Sequence, residues 1–259
     1  MRTINHWIIL SLAALLMLTQ CKESTKPIDK KALTKDMAAI DKALIPALYL
    51  TSIDKQFSSL EAMSQLTPQI NHFIQKYEHK NPTDKQWDRD LGNIKSKLKY
   101  ANQHVRANQL KQANIQDLDP MSTIFVQMRS RNGLDDYIPD QIHHLHSTSL
   151  SLASSISPQI PEDAQEVVIN STKTMYASVK KKFQQLKSEK MDNTLYSVSP
   201  KKRKYLMEVY GEVDKVLAQI DTALTSMDTH KINEAYGQLP KHFIEAYLVF
   251  GDFEVLQKK

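Results

Sequence analysis

Apolar residues recur every three or four positions along most of the chain. This spacing places them on one face of an α-helix, and it persists through successive segments that turn-forming residues separate. Apolar stripes of this kind begin at Leu33, Ile53, Trp87, Leu110, Ile138, Ala164, Leu206 and Ile232. The pattern therefore predicts an all-α fold, an antiparallel helical bundle in which each helix buries one face.

Proline, glycine and serine mark where the predicted helices bend, begin or end. Pro46 is expected to bend or end the first helix, because proline removes a backbone donor inside a helix. Gly133 suits the left-handed conformation of a helix C-terminus. Ser199 followed by Pro200 suits a cap and a first helical residue, and a loop is predicted from Met191 to this cap.

The chain also aligns with itself when it is shifted by 122 positions. Without gaps, apolar residues of 87–128 meet apolar residues of 209–250, and the break between two helices coincides. The aligned pairs include Trp87 with Val209, Leu98 with Ile220, and Phe125 with Tyr247. The match predicts a duplicated helical hairpin within two halves, 33–157 and 158–259. Unrelated helices of similar period are the alternative.

Composition agrees with a globular helical chain. Hydrophobic residues make up 41% of the 259 residues, which is ordinary for a folded domain. There are only 5 glycines, whereas sandwiches and barrels need many glycine-rich turns. The net charge of +5 is mild for this length, so charge alone indicates no particular partner.

The first 21 residues have the layout of an export signal. Arg2 precedes a mostly apolar run of about a dozen residues, from Trp7 to Leu18, which is typical of a secretory signal. The run is shorter than the roughly 20 residues that a membrane-spanning helix needs. It ends in Leu-Thr-Gln-Cys at positions 18–21.

This ending resembles the lipobox of bacterial lipoprotein precursors, in which the cysteine after the cut receives lipid. Gln20 departs from the small residue that usually precedes that cysteine. Cys21 is the only cysteine of the chain, so no intramolecular disulfide competes with acylation. The resemblance implies a signal peptide at 1–20 and a lipidated cysteine with a tether at 21–32. By resemblance to the sorting rule of enteric bacteria, Lys22 after the cysteine implies the outer membrane of a Gram-negative bacterium. An ordinary secreted protein or an uncleaved anchor is the alternative.

The first half is similar to a group of exported helical bacterial proteins that have no assigned activity. The matching residues are Ala47–Thr51, Ala62, Met63, Leu66, Phe73, Tyr77, Trp87, Leu110, Ala113, Arg131–Gly133 and Tyr137–His146. In that group the last segment tends to read Phe-His-x-Pro-Met-Glu, to which Leu145-His146 corresponds here. The resemblance implies an exported helical protein and assigns no reaction.

The densest group of metal-binding residue types lies on the predicted helical segment 134–152. Asp140, His143 and His146 follow one another at intervals of three, and His144 is four residues after Asp140, so they share neighbouring faces. Imidazole and carboxylate groups at this spacing can bind a divalent metal. A site for a divalent metal or haem is therefore predicted at His146 with His143 or Asp140. The alternative is that His143 and His144 are solvated and His146 packs between helices.

A basic run at the start of a predicted helix forms a second candidate site. Its residues are Lys201, Lys202, Arg203 and Lys204. Positive charge at a helix N-terminus opposes the helix dipole, unless an anion binds there. The run is a candidate contact for anionic headgroups or an envelope polysaccharide, and a solvated face is the alternative.

Sequence motifs of catalytic sites are absent from the chain. It contains no CxxCH, GxSxG, HExxH or phosphate-loop sequence. We therefore expect a non-catalytic, lipid-anchored protein of the cell envelope that binds or scaffolds a partner. We expect it to need no cofactor and to bind no nucleic acid. The alternatives are a periplasmic metal- or haem-binding bundle and, third, an acid-base enzyme.

Overall fold

The computed structural model describes residues 28–81, 83–155 and 162–254, apart from the side chains of three residues near the start of α7, at 162, 163 and 165. The helices are α1 Lys30–Ser52, α2 Gln56–Tyr77, α3 Trp87–Arg106, α4 Leu110–Gln112, a π-helix Ala113–Leu118, α5 Asp119–Arg131, α6 Ile138–Ser155, α7 Glu162–Ser188, α8 Asn193–Tyr196, α9 Pro200–Ser226 and α10 Thr229–Leu248. Within these residues there is no strand, and helix pairs pack antiparallel. The predicted all-α, antiparallel fold class is confirmed.

Two hydrophobic cores organise the helices. The buried apolar residues of α2 to α5 and most of those of α1 form the first core, and those of α6 to α10 form the second. Along the chain, the boundary between the first and the second core falls between Leu134 and Tyr137. Ala38 and Ile45 of α1 join the second core, so α1 contacts both. The two cores are therefore packed against each other through α1.

Helix α6 lies in the second core, although the sequence pattern placed it in the first half. Its buried residues Ile142, Leu145 and Leu152 belong to the second core, and its main neighbour is α10. The predicted division after residue 157 falls outside the described residues. The cores divide about twenty residues earlier, at Leu134–Tyr137, because the apolar face of α6 packs against α10.

The start of α1 differs from the predicted tether. The Asp29 carboxylate accepts hydrogen bonds from the backbone N–H groups of Lys31 and Ala32 at 2.9 and 3.3 Å, which caps the helix. Residues 30–32, predicted as the end of the tether, therefore form the first turn of α1. A second difference lies in the predicted loop before Ser199, which contains the short helix α8, capped by Asp192.

Pro46 does not end the first helix. Helix α1 continues through it to Ser52, and Pro46 itself is buried. A proline inside a helix costs about 3 kcal/mol, but the buried neighbours Leu44, Ala47 and Leu50 hold this part of α1 in the first core. Tertiary packing outweighs the local preference here, as is common for helices in proteins.

The two predicted hairpins are both present. In the first, α3 packs against the π-helix and α5, and in the second α9 packs against α10. Aligned positions such as Leu98 and Ile220 are buried in both. The second break comes two to three residues earlier than the alignment predicts, because Asp228 caps α10 through the N–H of Lys231 at 3.0 Å.

Candidate functional site

A buried arginine lies where α1, α5 and α6 meet. Arg129 of α5 is 2% exposed. Its Nε and Nη2 donate to the two carboxylate oxygens of Asp140 on α6, at 2.7 and 2.6 Å. Its Nη1 donates to Asp41 Oδ2 on α1 at 3.3 Å. One cation therefore connects three helices that belong to both cores.

Tyr137 completes this group. Its hydroxyl donates to Asp41 Oδ2 at 2.7 Å, and its ring lies 4.4 Å from the Arg129 guanidinium carbon. We call Arg129, Asp41, Tyr137 and Asp140 the Arg129 cluster. A buried arginine is stable only when its donors are satisfied, and carboxylates with an aromatic face satisfy this one.

Burial and charge shift the pKa values of the cluster. Burial alone would lower the pKa of Arg129, but the charges of Asp41 and Asp140 outweigh it and hold that pKa above its usual range. Burial raises the pKa of Asp140 to about 6, against the opposing charge of Arg129. Two carboxylates share one guanidinium, so the cluster retains a proton more readily than an exposed carboxylate does.

The turn between α5 and α6 brings Arg129 and Asp140 together. Gly133 adopts φ +68°, as predicted for the helix end, and a Cβ there would lie 2.8 Å from Lys30 Nζ. The backbone N–H of Leu134 donates to the carbonyl of Arg129 at 3.0 Å, which closes the turn. The chain reverses within a few residues, so α6 starts beside α5.

The predicted metal-binding residues lie on α6, as expected, but they do not converge. Both oxygens of Asp140 accept hydrogen bonds from Arg129. The ring of His143 stacks on Tyr247 of α10, with centroids 5.2 Å apart. His144 Nε2 lies 2.8 Å from Lys182 Nζ. Within the described part of the chain, no three histidine, cysteine or acidic side chains are grouped for metal binding.

The histidines of α6 are held neutral by burial. Burial, followed by the charge of His143, lowers the pKa of His146 to about 4. Burial is also the main reason for the lowered pKa values of His143 and His144. A neutral imidazole is the form that binds metal, so the metal assignment to His146 stays a prediction.

A groove runs along the solvent side of the Arg129 cluster, between α5, α6 and α7. It has a volume of about 770 Å³. Its charged and polar lining comprises Ser130, Asp135, Asp136, Asp140, Gln141, His144, Lys182, Gln185, Ser188 and Glu189. Apolar side chains, Val126, Leu134 and Leu145, line it as well. We call this recess the junction groove. Four carboxylates line it, one of which, Asp140, is paired with Arg129, and one ammonium group lines it as well.

The predicted basic run begins α9, as expected from Ser199 and Pro200. Ser199 Oγ accepts a hydrogen bond from the N–H of Lys202 at 3.3 Å, so the helix caps itself. The Lys202 ammonium donates to the carbonyl of Gly251 at 2.7 Å. Lys204 lies 3.9 Å from Glu208. Two of the four basic side chains thus have partners within the protein.

Arg129 and Asp41 were not predicted as site residues from the sequence. Their positions could have indicated them, because Arg129 is four residues after Phe125 and Asp41 is four residues after Met37. Each charge therefore falls on an apolar stripe, where burial without a partner is costly. A charged residue on each of two buried stripes indicates a buried ion pair, although the pattern does not say which helices meet.

The fold and the Arg129 cluster define a class: an all-α protein of two helical cores joined by a buried ion cluster. A scan of protein-family models and searches of curated proteins and of solved structures found no match to this chain. The lipobox resemblance and the resemblance to exported helical proteins therefore stay predictions.

Proposed function

We propose that this chain is a non-catalytic binding protein of the bacterial cell envelope, held to the outer membrane by lipid on Cys21. The observation that carries the proposal is the apolar run that ends in Leu-Thr-Gln-Cys, with the only cysteine of the chain at its end. These residues lie outside the described part. None of the described helices is both long and apolar enough to span a bilayer.

The junction groove is the binding surface in this proposal. Three carboxylates without an ion pair among the described residues, Asp135, Asp136 and Glu189, line it together with the ammonium group of Lys182. The fourth carboxylate, Asp140, is already paired with Arg129. An acidic recess attracts a positively charged segment, and it steers association most strongly at low salt. A basic segment of another envelope protein therefore suits the groove better than an acidic polysaccharide does.

The lipid anchor is tested by blocking its processing. An inhibitor of lipoprotein signal peptidase should make the precursor accumulate in cells, and Cys21→Ser should remove labelling by a radioactive fatty acid. Lys22→Ser, which keeps the cysteine, is the matched control and should be labelled normally. Unchanged processing with the inhibitor, or labelling of the Cys21→Ser variant, would overturn the anchor.

Binding at the junction groove is tested by photo-cross-linking in cells. A photoreactive residue in place of Gln185, which lines the groove, should form an adduct with a partner. The same residue in place of Lys173, exposed on the same helix, is the control. The adduct should disappear with Asp135→Asn and Asp136→Asn combined, and its persistence in that variant would rule out charge recognition by the groove.

Metal or haem binding is the second candidate function. It is supported by His146, whose neutral imidazole has no hydrogen-bond partner among the described residues. Metal analysis of protein purified from the envelope should then detect a divalent metal. Zn²⁺ or Cu²⁺ should raise the melting temperature of the parent and not of His146→Ala. Equal melting temperatures in both proteins, with and without metal, would eliminate this function.

A further inference from the structure

A small cleft lies between α1, α2 and the segment that follows α10, apart from the Arg129 cluster and the junction groove. Its volume is about 240 Å³, below the roughly 300–1,000 Å³ of sites for drug-sized ligands. It is lined by four apolar side chains and four polar ones: Ala39, Ala43, Pro46 and Ala62, and Lys42, Gln65, Gln69 and Asp252. The cleft therefore suits a small molecule with polar and apolar parts.

The wall formed by residues 251–253 is fixed in place. A Cβ on Gly251 would lie 3.0 Å from both Ile45 Cγ2 and Pro46 Cδ and 2.8 Å from Phe253 Cε2, so glycine allows this close approach without displacing these side chains. The N–H of Asp252 donates to the carbonyl of Lys42 at 2.8 Å. The ring of Phe253 packs edge-on against Tyr49, with centroids 6.0 Å apart. These contacts hold the Asp252 side chain at the cleft without any ligand.

Lys42 is the unusual group in this cleft. Its side chain is half-buried, and its ammonium has no hydrogen bond or ion pair within the described residues. Burial lowers the pKa of Lys42, while the charge of Asp252 raises it and that of Lys202 lowers it. An ammonium group that loses water without gaining a partner is destabilised, so an anion in the cleft would relieve this cost.

Asp252 offers the opposite charge across the same cleft. Its Oδ1 accepts a hydrogen bond from the N–H of Glu254 at 3.2 Å, and no lysine or arginine of the described residues lies within ion-pair distance of it. Lys42 and Asp252 are near enough for their charges to interact but are not in contact. Because both residues line one cleft, a molecule that carries both a carboxylate and an ammonium group matches the two charges.

We propose that this cleft binds a free α-amino acid with a small side chain. The carboxylate of the ligand pairs with Lys42 and its ammonium group pairs with Asp252. The amides of Gln65 and Gln69 supply additional donors and acceptors, and the alanines and Pro46 contact the ligand side chain. Charge-assisted hydrogen bonds at both ends discriminate against molecules that lack either charge. This proposal is independent of the lipid anchor and of the junction groove.

Calorimetric titration of the purified full chain, in detergent micelles, with L-alanine tests the proposal. Propionate lacks the ammonium group and ethylamine lacks the carboxylate, so each should bind at least tenfold more weakly than L-alanine. Lys42→Met and Asp252→Asn should each weaken L-alanine binding at least tenfold. Lys35→Met, on an exposed part of the same helix, should leave it unchanged.

Unchanged thermal unfolding shows that a variant is folded, and Lys42→Gln replaces Lys42→Met if the latter is not. Absence of binding by L-alanine at millimolar concentration would overturn the proposal. Equal affinities for L-alanine and propionate, or full L-alanine binding by Asp252→Asn, would overturn it as well, because both charges are then not required.

Discussion

The two hairpins share a pattern of buried apolar positions but differ in how they contact α1. Positions 129 and 251 correspond under the shift of 122 residues. In the first hairpin, Arg129 reaches Asp41 of α1 with a buried charge. In the second, Gly251 lies against Ile45 and Pro46 of the same helix with its backbone. Equivalent positions thus contact α1 by charge pairing in one core and by close packing in the other.

A second difference lies inside the hairpins. Asp117, in the π-helix, is buried and its Oδ2 lies 2.7 Å from His104 Nδ1. The corresponding positions of the second hairpin hold Leu239, which is fully buried, and Ser226. The spacing of apolar residues is therefore enough to build either hairpin, and the buried polar groups are additions to the first. The predictions below test which of these additions contribute to stability.

The largest effect is expected from Arg129→Met. Removing the guanidinium leaves Asp41 and Asp140 buried without their partner, which costs about 3–5 kcal/mol of unfolding free energy. Urea unfolding followed by circular dichroism measures this loss. Arg106→Met, on an exposed arginine of α3, is the control and should change stability by less than about 1 kcal/mol. A loss as small as the control would mean that α1 is held by apolar packing alone.

The stability of the Arg129 cluster should also depend on pH through Asp140, whereas Gly251 has no side chain to titrate. Asp140 has a pKa of about 6 in the folded protein against an ordinary 3.8, so it adds stability below pH 4 that is lost as pH rises through 6. The stability of the parent relative to Asp140→Asn should therefore fall by about 2 kcal/mol from pH 4 to 7.5.

His146 should titrate in the opposite sense. The pKa of His146 is about 4 in the folded protein against an ordinary 6.5. The stability that this residue contributes to the fold is therefore present above pH 6.5 and is lost as pH falls through 4. The parent relative to His146→Gln therefore loses stability on acidification. Denaturant unfolding of parent and both variants between pH 4 and 7.5 separates the two groups. A constant difference for Asp140→Asn across this range would contradict its raised pKa.

The close backbone contact is tested by Gly251→Ala. The added methyl group would lie 2.8 Å from Phe253 Cε2 and 3.0 Å from both Ile45 Cγ2 and Pro46 Cδ. Overpacking of this kind costs about 1–3 kcal/mol. Gly237→Ala is the matched control, because nothing lies within 4 Å of its Cβ position in α10. That control should gain about 0.5–1 kcal/mol, and equal effects of the two substitutions in thermal unfolding would refute the close contact.

The smallest effect is expected from Asp117→Leu, which gives the first hairpin the residue type of the second. The substitution removes the contacts of Asp117 with His104 at 2.7 Å and with Lys97 at 3.8 Å but buries more apolar surface, and both partners remain partly accessible to water. Replacing a buried ion pair by an apolar side chain is often nearly neutral. We expect a change within about 1 kcal/mol in urea unfolding. A loss of more than about 3 kcal/mol of unfolding free energy would mean that the contacts of Asp117 are essential to the first hairpin.

Much of the helical structure could be predicted from the chain itself. Gly133 and Ser199 mark helix ends as expected, because caps depend on residues adjacent in sequence. Pro46 does not end α1, because its local cost is outweighed by burial that involves distant residues. The Arg129 cluster could not be predicted, since Asp41 is 88 residues from Arg129 and nothing local links them.

The candidate site, like the fold, could be predicted from the sequence only in part. His143, His144 and Asp140 lie on one helix, as their spacing predicts, but their partners Tyr247, Lys182 and Arg129 come from other helices. Helical spacing fixes the face on which a side chain lies. It does not fix which neighbour covers that face, so the partners that oppose metal binding by Asp140 were not visible in the sequence.

The sequence by itself determined that this chain is helical and where most helices begin and end, while the export and lipid signals at its start stay predictions. These properties depend on residues within one or two helical turns. Tertiary structure alone decided that α6 packs in the second core, that α1 contacts both cores, and that Arg129 is buried between Asp41 and Asp140. The physical reason is that an apolar stripe specifies burial, whereas the choice of neighbour comes from the packing of all helices together.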